Sequence, residues 1–137
     1  MTKAERDPGI RLGTGLISLL GITRTGFAEN YARFELDLQP HHLNHMGIPH
    51  GGLYATILDT ALGTAGNWDG SPDSIRPSIT LNLNVSYVGQ PKGTHLVCEA
   101  RRVDGGKSIY FAEGEVSDDT GIVLARATGT FKSVKPR

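Results

Sequence analysis

Asp59 is the only charged side chain in an apolar run from Leu53 to Ala65, and no Lys or Arg occurs between Arg33 and Arg76. A carboxylate buried without a partner is costly, and desolvation raises its affinity for protons. Such a residue is expected where chemistry needs it. The plainer alternative is an Asp satisfied by a backbone turn or by a remote cation such as Arg76. Thr56 and Gly63 lie three and four positions from it and Thr60 is next to it, at helical offsets of four and three from those two, a narrow polar or small strip on an otherwise apolar cylinder.

His50-Gly51-Gly52 comes just before that run. If a helix starts there, its first N–H groups have no intrahelical partner and carry the positive end of the dipole. Glycines let a ligand approach the backbone closely, which suits an oxyanion hole built from N–H donors. A tight turn that merely needs glycine is the competing explanation. Gly51 and Asp59 are eight residues apart, roughly 12 Å along one helix. One carbonyl and its attacking water cannot easily meet both. If both act, the site joins Gly51 of one subunit to Asp59 of another, and the chain is a dimer at least.

His41, His42, His45 and His50 crowd one loop, but their spacing matches no common zinc pattern and no metal is expected. There is no G-x-S-x-G nucleophile elbow, P-loop or dinucleotide fingerprint.

The elements that must position these groups follow from periodicity. Ile17 to Thr25 and Asn30 to Leu38 read as two strands joined near Thr25-Gly26. A loop rich in His, Asn, Gly and Pro precedes one long helix from Gly51 to about Trp68. That helix is apolar nearly all round and so is expected to be buried. Beyond a Pro72 to Pro77 linker the period becomes two. Ile79, Leu81, Leu83, Val85 and Tyr87 face one way, and Thr80, Asn82, Asn84 and Ser86 the other. Breaks at 89–93, 104–106 and 117–121 divide the rest into strands, the last from Ile122 to Lys132. Short turns imply an antiparallel sheet, and one helix against one curled sheet is an α+β architecture.

The chain has 137 residues with 14 basic and 14 acidic side chains. One domain over residues 1–137 is expected, with a polar lead-in over 1–15. The charge balance argues against a nucleic-acid partner. The single cysteine, Cys98, permits no internal disulfide and reads as a small buried hydrophobe. Leu12 to Ile22 is too interrupted by glycine for a signal peptide, and nothing has the length of a transmembrane span. No membrane association is expected, and the cytoplasm is the default location.

Together these residues resemble the hotdog-fold thioesterases, specifically the PaaI-like group. The signature is Asn44-x-x-Gly47-x-x-His50-Gly51-Gly52, then Asp59 and Gly63, the strand Thr80 to Tyr87, and Arg102-x-x-x-Gly106-Lys107-Ser108. The resemblance spans about Tyr31 to Phe131. It implies a five- or six-stranded antiparallel sheet wrapped around the helix, in dimers that often pair into tetramers. It also implies hydrolysis of acyl-CoA, with no cofactor besides the CoA of the substrate. By the same resemblance, Gly51 polarises the thioester carbonyl, His50 shapes the turn, and His50 and Gly52 count among the substrate-binding residues. Asp59 is then general base or nucleophile, Asn44 orients water or thioester, and Thr80 helps hold the water. Asn82, the Tyr87 to Lys92 segment with Gly89 and Lys92, and Arg102, Gly106, Lys107 and Ser108 are the implied contacts for substrate.

Two other functions compete: a hotdog dehydratase or hydratase acting on acyl thioesters, and a non-catalytic acyl-CoA-binding protein. The first usually wants a His paired with an acid at the substrate's α and β carbons, and His50 and Asp59 are poorly placed for that within one subunit. The second has no need of a buried base.

Overall fold

A computed structural model describes residues 15–134. Apart from Gly15, the lead-in lies outside the described residues. A short helix α1 (Leu16–Leu20) precedes β1 (Thr23–Ala28) and β2 (Tyr31–Asp37). A 3₁₀ turn (Pro40–His42) leads to the long helix α2 (Gly51–Ala65), and β3 (Ser78–Tyr87), β4 (His95–Gly105), β5 (Ile109–Asp118) and β6 (Val123–Ser133) complete the chain. The six strands form one antiparallel sheet in the order β1-β2-β4-β5-β6-β3. Helix α2 contacts all six strands, the α+β arrangement that the resemblance implies. No helix among the described residues is long and apolar enough to cross a membrane.

Ile57, Leu58, Ala61 and Leu62 of α2 are fully buried against Phe34, Leu96, Cys98, Val116 and Leu124 of the sheet. Each large aliphatic side chain so buried contributes about 1.5–3 kcal/mol. Cys98 belongs to this core, and burial pushes its thiol pKa well up, which leaves it inert. The helix ends at Gly66, where a Cβ would run into the Tyr110 ring.

Four expectations need correction. The segment from Ile17 begins as helix α1, and its strand starts only at Thr23. The first hairpin turns at Glu29-Asn30 rather than Thr25-Gly26. Asn30 adopts φ 61°, a conformation that Asn tolerates better than most residues, while Thr25-Gly26 falls at a register shift inside β1. Helix α2 is also not buried all round: Gly52 is exposed, and Ala55, Thr56, Asp59 and Thr60 are half-buried, a stripe at helical spacing that the described residues leave partly uncovered.

The largest correction is in β3. Its register against β6 shifts between Thr80 and Asn82, leaving Leu81 as the extra residue. Opposed residues in a sheet share a face. Thr80 opposes Phe131, Leu83 opposes Gly129, Val85 opposes Ala127 and Tyr87 opposes Ala125. These β6 partners are all buried, so Thr80, Leu83, Val85 and Tyr87 all point to the helix side. Strict alternation would put Thr80 and Leu83 on opposite faces; one inserted residue reverses the parity. Asn82 and Asn84 oppose Thr130 and Thr128 on the outer face, and Ile79 and Leu81 are left 49% and 52% exposed.

Candidate active site

Asp59 does not lie buried and unpaired. It is half-buried, and Thr80 Oγ1 donates to its Oδ1 at 2.6 Å. Oδ2 has no partner among the described residues. Arg76, the remote cation considered for it, instead reaches Asp69 at 3.3 Å. The carboxylate is therefore held by one hydroxyl and keeps one oxygen free to accept a proton.

The start of α2 is tightly ordered. His50 is the N-cap, and its Nδ1 accepts from the N–H of Gly52 at 2.8 Å. With Nδ1 accepting, the neutral ring carries its proton on Nε2. Leu53 N–H bonds to the carbonyl of His50 at 2.9 Å. The N–H of Gly51 has no acceptor among the described residues, so of the paired glycines it is Gly51 that offers an open donor. Neither glycine leaves empty space above its Cα. A Cβ at Gly52 would meet the His50 ring at 3.0 Å, and one at Gly51 would meet Tyr87 Cζ and Oη at 3.4 Å.

Asn44 organises the loop before the helix. Its Oδ1 accepts from Met46 N–H at 2.9 Å and lies 3.4 Å from Ile48 N, and Gly47 takes φ 77° in that turn. What remains open on Asn44 is its amide NH₂. In the same loop, His42 is buried, accepting from Gln39 N–H at 2.9 Å and donating to Leu20 O at 2.8 Å. Two of the four clustered histidines are thus committed to holding backbone.

The other implied substrate contacts divide between the two ends of the sheet. Gly89 and Lys92 follow Tyr87, near the Gly51 end. Gly89 is required there because a Cβ would meet Val123 O at 2.5 Å. Lys92 is exposed, and its backbone N–H, like that of Gly93, donates at 2.8 Å to Asp118 Oδ2. Asp118 also accepts from Thr120 and Ile122. The Gly93 N–H, with these other donors, holds its carboxyl far below the usual range, against burial. The local sequence pattern shows only a turn here, not that one carboxylate ties two loops together. At the opposite end, Arg102 donates to Gly106 O at 3.0 Å, and Gly106, Lys107 and Ser108 are exposed. Ser108 O accepts from Ser133 N–H at 2.7 Å, and Ser133 opposes Ser78 at the start of β3, the Thr80 end. Asn82 is not brought to Asp59: it sits on the outer face, accepting from Asn84 Nδ2 at 2.7 Å. A cleft of about 560 Å³ on that face is lined by Glu99, Arg101, Glu113, Glu115 and Arg126 among others, with the sheet between it and Asp59.

The chain is similar in sequence and in fold to several known proteins. The thioesterase superfamily profile matches residues 46–125. A Halobacterium salinarum protein named for esterase activity is 32% identical over 128 residues, covering 86% of this chain and 83% of its own. Acyl-coenzyme A thioesterase 13 of Mus musculus is 28% identical over 98 residues, 70% of this chain and 68% of its own. The E. coli PaaI protein from the phenylacetic acid degradation operon superposes with a TM-score of 0.76 at 18% identity, covering 86% of this chain and 83% of that one. With a half-buried carboxylate on the helix and an open N–H at its start, the chain belongs to the thioesterase superfamily and has the hotdog fold.

Proposed function

We propose that the protein hydrolyses acyl-CoA thioesters as a homodimer, each site joining the Asp59–Thr80 pair of one copy to the Gly51 helix start of the other. The observation that carries this reading is how the groups lie along one edge strand. Thr80, with Asp59, stands near the beginning of β3, and Tyr87, with Gly51, stands at its end. They are roughly 20 Å apart along the strand. Among the described residues β3 pairs only with β6, and they leave its other edge open. Antiparallel pairing with β3 of a second copy about a two-fold axis brings the Thr80 end of each against the Tyr87 end of the other. Ten residues without a charge or a proline lack two of the usual features that block such pairing, and the one bulge, at Leu81, lies near the start of the strand.

In the reaction, water attacks the thioester carbon while Asp59 Oδ2 takes its proton. The carbonyl oxygen gains charge against the Gly51 N–H. The C–S bond then breaks, and the proton passes from Asp59 to the departing thiolate, giving free acid and CoA. Thr80 keeps the carboxylate in one orientation, and the Asn44 NH₂ is free to hold water or the thioester. The same pairing brings Gly89 and Lys92 of one copy near Arg102, Lys107 and Ser108 of the other, cations that suit the CoA phosphates. The hydratase alternative needs a mobile imidazole, whereas His50 is engaged as a cap.

Free-thiol release from aryl, short, medium and long acyl-CoAs tests this. Asp59→Asn keeps the shape and removes the base, and is expected to cost about a hundredfold or more. Activity that survived the substitution would remove Asp59 from the mechanism. CoA binding without turnover by the wild type would favour the non-catalytic alternative.

A further inference from the structure

We infer that Tyr87 is a positioning residue that fixes the direction of the Gly51 N–H; the inference rests on the proposed role of that N–H. Glycine is the least constrained of residues, and a donor that must reorient at the moment of reaction loses much of its value. A lone Gly51 at a helix start therefore needs something to hold it. Tyr87 Oη donates to Gly51 O at 2.8 Å, and the phenol ring lies over the Gly51 Cα, where a Cβ would meet Cζ and Oη at 3.4 Å and Cε1 at 3.5 Å.

The peptide unit between Gly51 and Gly52 is gripped at both ends. Its carbonyl is held by Tyr87, and its N–H is given to His50 Nδ1 at 2.8 Å. Thr56 Oγ1 holds the next carbonyl, that of Gly52, at 2.8 Å. With the following peptide immobilised and a ring above the Cα, the Gly51 N–H has little freedom to turn. Tyr87 is itself braced by the buried Tyr54, ring centroids 6.0 Å apart. The clamp depends on the extra residue in β3: Thr80 and Tyr87 are an odd number of residues apart, and both reach the helix only because Leu81 is inserted between them. One irregularity thus serves the base and the oxyanion donor together.

Tyr87→Phe keeps the ring and removes the hydroxyl. Steady-state hydrolysis of the best acyl-CoA is expected to show kcat lowered about tenfold, below the cost of deleting an oxyanion donor outright, with KM within twofold. Tyr31→Phe, whose hydroxyl donates to Glu99 away from the clamp, should keep kcat. In ¹H–¹⁵N spectra the Gly52 amide, which His50 Nδ1 holds in the clamped peptide, should exchange faster with solvent in Tyr87→Phe, while amides in the middle of α2 do not. A loss confined to KM would overturn the inference, placing the phenol on the substrate instead. An unchanged kcat with unchanged Gly52 exchange would also overturn it. The exchange measurement needs no turnover, so it tests the clamp even if the wild type hydrolyses no thioester, an outcome that would sink the functional reading alone.

Discussion

The two edges of the sheet are finished in opposite ways. At one edge β1 is closed from within the chain. Arg24 is 1% exposed, donates to Pro72 O at 3.0 Å and stacks 4.6 Å from the centre of the Phe27 ring, against which Trp68 packs edge-on. The segment after α2 thus folds back over β1. At the other edge β3 is largely exposed, uncharged and apolar in part, with Ile79, Leu81 and Tyr87 each about half exposed. An edge of this kind, without a partner among the described residues, invites one unless something guards it. One edge is closed for stability within the chain; the other is where the proposed chemistry meets a second copy.

Loading the open edge with charge should separate the two roles most sharply. Asn84→Lys, near the middle of β3, sets like charges against each other about the proposed two-fold. Sedimentation should then report monomers of unchanged far-UV circular dichroism, and thiol release should fall as far as in Asp59→Asn. A monomer with full activity would break the shared-site reading. At the closed edge the reverse is expected. Arg24→Ala removes a buried hydrogen bond and a cation–π contact, and should lower stability by about 3 kcal/mol in urea unfolding without changing the oligomeric state. If it altered association instead, the contrast between the edges would fail.

The smallest effect concerns pH on the β1 half of the sheet. His95 lies 2.8 Å from Glu35 and 2.7 Å from Asp37, and these hydrogen bonds raise its pKa, against burial. A raised folded pKa means that the stabilisation is complete below the unfolded value of about 6.5 and is lost as pH rises through the folded one. The carboxylate of Asp37 is 78% exposed, so screening limits the effect to about 1 kcal/mol or less. The wild type should lose this increment as pH is raised from 6, and His95→Gln should flatten the profile. A flat wild-type profile would show the pair to be idle.

Much of this was legible from residue types. Asp59 in an apolar helix and the glycine pair before it pointed to α2 and to opposite stretches of it. Turn residues placed most strand ends within a residue or two. Asn30 was missed because Gly26 offered a stronger local turn signal, yet the backbone needed a left-handed residue only where β1 and β2 actually meet. Asp118 was read as one turn residue among several, because its partners at Lys92 and Gly93 lie too far along the chain for any local pattern to show.

By itself the sequence determined the antiparallel α+β plan, the identity of the core helix, the candidate base and the glycine that offers an N–H. It also determined, through helix rise alone, that the base and that N–H stand too far apart to serve one carbonyl easily within one chain. Tertiary structure decided which way β3 presents its side chains. Alternation along a strand is counted in steps of two, and an inserted residue changes that count only where pairing with β6 makes it bulge. With Leu81 extra, Thr80 reaches Asp59 and Tyr87 reaches Gly51 on one face, while Asn82, expected beside Thr80, turns to the other.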